Sequence, residues 1–91
     1  MTEKEREFTN TVREHRSTIY SVCFMFAKSS DEADDLFQEV LIKLWHGFDG
    51  FEHRSSIATW IWRISLNTCI SMERTKRRSS SLKLDMSRNL Y

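Results

Sequence analysis

The chain contains no proline and only two glycines in 91 residues. Helices can therefore run long, and their clearest interruption is the neighbourhood of Gly47 and Gly50. No apolar run approaches the roughly 18 residues of a membrane span. The charged start, Met1-Thr2-Glu3-Lys4-Glu5-Arg6, leads into no apolar stretch of the kind a secretory leader needs. A cytoplasmic protein that does not enter a membrane is expected. Cysteine is scarce as well. Cys23 and Cys69 are far apart and have no CxxC spacing, so they are expected to be small core side chains rather than metal ligands. A metal site would need them to meet His15, His46 or His53, and nothing in the spacing suggests it. No nucleotide-binding loop and no nucleophile–base pair is visible, so neither a cofactor nor an enzymatic activity is expected.

The length suits one domain with one modest core. Net charge is close to zero, but its distribution is uneven. Residues 1–50 carry ten acidic and six basic side chains, whereas residues 51–91 carry three acidic and eight basic ones. Two partners of different charge would explain this, and so would attraction between the two halves within the fold.

Periodicity predicts three helices and no strand. Phe8, Val12, His15, Ile19, Val22, Cys23 and Phe26 recur at steps of three and four, which places a first helix over about residues 4 to 27. Lys28-Ser29-Ser30 ends it. Ser30 or Asp31 is expected to cap a second helix, with Asp31, Glu32, Asp34 and Asp35 near its positive end. Ala33, Leu36, Phe37, Val40, Leu41 and Leu44 form that helix's core arc, and His46-Gly47-Phe48-Asp49-Gly50 stops it. Ser55 or Ser56 should cap a third helix running to about Arg77. Residues 79–91 lack periodicity and read as a tail or the start of a linker, beyond a domain of residues 1–78.

Two helical faces remain outside the core. Asp34, Asp35, Gln38 and Glu39 project from the second helix with Ile42 among them, either as a docking patch or as an ordinary solvated face. On the third helix Ile57, Ile61, Ile64 and Thr68 form an inner stripe. Thr59, Arg63, Asn67, Arg74 and Arg77 form another, flanked by Trp60 and Arg78. Trp62, with Leu66 and Cys69, is expected to pack inside. Trp60 is either a core residue or a surface on which a base could stack. Aromatic rings stack on unpaired bases, cations neutralise phosphates, and an amide can read a base edge. A helix that carries all three suggests binding to opened nucleic acid.

These segments, in this order, resemble region 2 of bacterial sigma factors of the extracytoplasmic-function type. Asp34-Asp35-Leu36-Phe37-Gln38-Glu39-Val40-Leu41-Ile42-Lys43-Leu44-Trp45 is similar to that family's polymerase-binding helix. Phe48-Asp49-Gly50-Phe51, the Ser55-Ser56 loop, Thr59-Trp60-Ile61-Trp62-Arg63-Ile64 and Asn67 resemble its promoter-melting segment, and Arg74 with Lys76-Arg77-Arg78 its basic ending. The resemblance covers about residues 5 to 78. It implies an all-α, three-helix domain whose second helix docks on the clamp helices of the RNA polymerase β′ subunit through Asp35, Gln38, Glu39 and Ile42. It further implies that Lys43, Phe51, Trp60, Arg63 and Asn67 hold the non-template strand of the opened −10 promoter element, with Arg74, Arg77 and Arg78 on phosphates. An anti-sigma factor is a further partner of that family. Two departures stand out. Family members continue into a second helix-turn-helix domain that reads the −35 element, whereas this chain stops soon after its basic cluster. Ser65-Leu66 stands where small or polar residues are frequent. The rival readings are a protein-interaction module with a merely solvating basic face, and a duplex-binding helix-turn-helix. The long aromatic loop between helices two and three argues against the second.

Overall fold

The computed structural model describes residues 1–51 and 55–89, with side chains described to residue 76. Three helices follow one another: α1 over Glu3–Phe26, α2 over Ser30–Gly47 and α3 over Ile57–Asn89. Each packs against both others. This is the all-α bundle that periodicity predicts.

The helix ends follow from local chemistry. Thr2 stands in extended conformation before α1, and its hydroxyl accepts from the Glu5 N–H at 3.1 Å, with Glu3 and Glu5 in the first turn complementing the dipole. Ala27 leaves the helix in extended conformation after donating its N–H to the Cys23 carbonyl. The cap of α2 is Ser29, not Ser30 or Asp31. Its hydroxyl accepts from the Glu32 N–H at 3.1 Å, because the spacing of three from serine to glutamate aims that oxygen at an orphan amide. Before α3, the Ser56 hydroxyl accepts from the Thr59 N–H at 3.1 Å and its carbonyl accepts from the Trp60 N–H at 3.0 Å, as expected. The backbone of α3 remains helical to Asn89, beyond the end near Arg77 that periodicity suggests.

Ile19, Val22 and Cys23 of α1, Leu36, Val40 and Leu44 of α2, and Ile61 and Cys69 of α3 form one buried cluster. Burying each large aliphatic side chain contributes about 1.5–3 kcal/mol. The core arcs of α1 and α2 are those the spacing predicts. That of α3 is not. Its buried arc runs through Ile61, Ser65, Thr68 and Cys69, while Trp62 is 49% exposed. At 100° per residue Trp62 lies one step round from Ile61, at the rim of the arc, and the small residues Ser65 and Cys69 face inward where three helices crowd together.

An aromatic chain closes one end of the bundle. Phe8 meets Trp45 at 5.1 Å and Phe48 at 5.5 Å, both edge to face, and Phe51 lies 5.0 Å from Trp60. Gly47 permits this closure, since a Cβ there would sit 3.3 Å from Cζ2 of Trp60.

Candidate functional site

α2 sets two kinds of side chain on its outer surface. Asp35 and Gln38 are exposed, Glu39 is half-buried and Ile42 is 48% exposed. All four line one groove of about 430 Å³, and Met72, Glu73 and Lys76 of α3 form part of its opposite wall. Leu36 and Cys69 contribute apolar lining between them. Asp34 does not join this set, because it accepts a hydrogen bond from the Tyr20 hydroxyl at 3.3 Å on the side toward α1, where Tyr20 stacks on Phe37 at 4.1 Å. Lys76 donates to Glu32 at 3.0 Å. That ammonium holds the Glu32 carboxyl below its ordinary 4.5.

Lys43 of α2 and Asn67 of α3 meet across a second, shallower groove of about 360 Å³, together with Ile64, Thr68 and Ser71. The two grooves share Glu39, Met72 and Thr75, so they are neighbours along the α2–α3 seam. Arg63 and Arg74 are exposed on the outer side of α3. Phe51 and Trp60 are brought together, and both rings are half-buried among the protein's own aromatics. Their partners cover part of each ring and leave part accessible. Arg77 and Arg78 lie on the backbone of α3, but their side chains are outside the described residues.

The two cysteines turn out to be neighbours. Both are wholly buried in one core cluster, where their side chains are close enough to influence each other. Burial first, and then the neighbouring sulfur, pushes Cys23 up to about 12, while burial also raises Cys69. They are core side chains, as expected, and their mutual contact carried no sequence signal. Among the described residues no three His, Cys, Asp or Glu side chains gather as a metal site. No described helix is long and apolar enough to cross a membrane. Sequence reasoning missed Met72 and Lys76 as partners of the acidic face. Their spacing of four could have revealed them once α3's buried arc was placed correctly.

Sigma-70 region 2 is the family whose pattern residues 11–79 match, and the chain belongs to it. Among its relatives is the ECF RNA polymerase sigma factor SigG of Mycobacterium tuberculosis, 33% identical over 76 residues that cover 84% of this chain and 20% of that protein. The ECF RNA polymerase sigma factor SigW of Bacillus subtilis is 30% identical over 70 residues, covering 77% of this chain and 37% of SigW. The RNA polymerase sigma factor CnrH of Cupriavidus metallidurans is 26% identical over 73 residues, 80% of this chain and 38% of CnrH. The chain thus spans between a fifth and two-fifths of the length of these relatives. No solved structure matches it.

Proposed function

We propose that this chain is the region 2 module of an extracytoplasmic-function sigma factor, acting in the cytoplasm without catalytic chemistry of its own. It docks on core RNA polymerase through the acidic groove and holds the opened −10 element along α3. The observation that carries this reading is the convergence of Asp35, Gln38, Glu39 and Ile42 on one groove, with the Lys43–Asn67 groove directly beside it. A polymerase contact and a strand contact then share one seam, so docking positions the module over the DNA. The β′ clamp helices are the proposed polymerase element, and an anti-sigma factor is a competitor for the same faces.

On the DNA side, Lys43 and Asn67 would receive an unstacked base, Arg63 and Arg74 the phosphates, with Arg77 and Arg78 continuing that row. Phe51 and Trp60 would offer their accessible edges further along. Extruding a base costs a few kcal/mol, and each aromatic–base stack returns about 1–3 kcal/mol. Opening can therefore be driven by binding.

The test has two arms. Fluorescence anisotropy should show tighter binding to a single-stranded −10-like oligonucleotide than to its duplex, with Arg63→Ala and Asn67→Ala each weakening the former. Equal affinity for both forms would favour a duplex binder instead. In the second arm, the double variant Gln38→Ala/Glu39→Ala should capture core polymerase at least tenfold more weakly, about 1.4 kcal/mol. Unchanged capture would remove the docking assignment. Alanine at Trp60 is a poor probe of strand binding, because that ring also packs on Phe51 and beside Gly47.

A further inference from the structure

We infer that the groove between α2 and α3 receives one apolar side chain from a cation-bearing segment of the polymerase, seated between Ile42 and Met72. α3 would then decide docking together with α2. This rests on the reading just given and adds to it a second wall and a chemical description of what enters. Ile42 is 48% and Met72 39% exposed, one from each helix, and both line the same groove. Exposed apolar side chains that face each other across a depression are what a partner's side chain needs in order to leave water. Methionine, unbranched and polarisable, adapts to whatever shape arrives.

The rim says which charges flank that side chain. Among the described residues, Glu32, Asp35 and Glu39 line the groove on the α2 side, and Lys76 is the ammonium that lines it from α3. A segment that places lysine or arginine either side of an apolar residue is complementary to this rim, and an acidic segment is repelled by it. Lys76 has a distinct part. Its bond to Glu32, 44 residues away, joins α3 to the start of α2 and occupies one of the rim carboxylates. Lys76 therefore competes with an incoming cation, although it belongs to the basic run that by sequence looks reserved for DNA.

The experiment titrates the 91-residue chain against immobilised core RNA polymerase, with thermal melts as the folding control. Met72→Ala is expected to weaken capture about fivefold, in the range of a moderate interface contact. Met72→Gln, of similar length but polar, serves if the alanine variant fails to fold and should weaken capture likewise. Lys76→Gln should tighten capture about two- to threefold and make it more sensitive to salt, since it releases Glu32. Gln38→Ala/Glu39→Ala is the reference. If that variant binds weakly while both Met72 variants bind as wild type, the docking reading stands and the α3 wall is refuted. If every variant binds as wild type, both fall together. If Met72→Ala instead abolishes a concentration-dependent dimer in sedimentation and leaves polymerase capture intact, the groove serves a second copy of the chain, and the inference is overturned.

Discussion

Ser65 has a wholly buried hydroxyl that finds no partner among the described residues. An orphaned buried hydroxyl costs about 1–3 kcal/mol, and exchange for alanine removes that cost while leaving almost the same volume. Ser65→Ala should therefore raise stability by about 1 kcal/mol, which for a domain of this size is a rise of about 4–8 °C in Tm. A lower Tm would show that the hydroxyl is satisfied. The neighbouring thiols give a pH prediction. The folded state holds Cys23 at about 12 against an ordinary 9.0, so it keeps its proton where the unfolded chain loses it. That contribution to stability is complete below pH 9 and declines as pH rises toward 12. Urea titrations from pH 8 to 11 should show a shallower decline for Cys23→Ala than for wild type, and identical slopes would contradict the burial argument. The exposed Trp62 has no assigned role, and its exposure shows how one step round a helix separates core from surface.

Among the three helices, α2 is the one whose start, core side and outer side each have a distinct local cause. Its start is set by a hydroxyl, its core arc by Leu36, Val40 and Leu44, and its outer side by carboxylates. Since Ser29 supplies the cap, Ser29→Ala should cost about 1 kcal/mol, whereas Ser30→Ala should stay within a few tenths. Chemical denaturation of both variants distinguishes the two serines. Equal losses would move the cap. α3 works differently. Its first half is held by both other helices, and its exposed stripe of Arg63, Asn67 and Arg74 is presented by a rigid element rather than a loop. An interface on a helix keeps its spacing, which would suit a stripe proposed to follow successive nucleotides.

For the whole molecule, the uneven charge becomes a spatial division: acids gather on α2 and bases on α3, while α1 carries four of each. Lys76–Glu32 joins the halves, so internal attraction accounts for some of the asymmetry. It leaves Arg63 and Arg74 exposed on α3 and Lys43 exposed on α2. If Arg63 and Arg74 meet phosphates, the affinity for a single strand should fall with salt with a log–log slope of about −1.4, and nearer −2.8 if Arg77 and Arg78 also take part. A slope near zero would mean that the basic stripe only solvates the fold. Alanine at Arg63 should flatten the slope by about 0.7.

The order and type of elements, the core arcs of α1 and α2, and the outward place of Asp35, Gln38, Ile42, Arg63, Asn67 and Arg74 were legible in the sequence. Helix periodicity and capping are local properties, readable within a few turns of chain. The family resemblance rested on the same ordered segments. Other features depend on where three helices happen to cross. Inward rotation of Ser65, and with it the outward place of Trp62, was decided by which side of α3 can approach two neighbours at once. The same crossing put Cys23 against Cys69, tied Asp34 to Tyr20, covered part of Trp60 with Phe51, and set Met72 and Lys76 opposite the acidic helix. Spacing along one helix names the residues on a face, but contacts between distant segments depend on the rotation of each helix about its own axis, which only packing resolves.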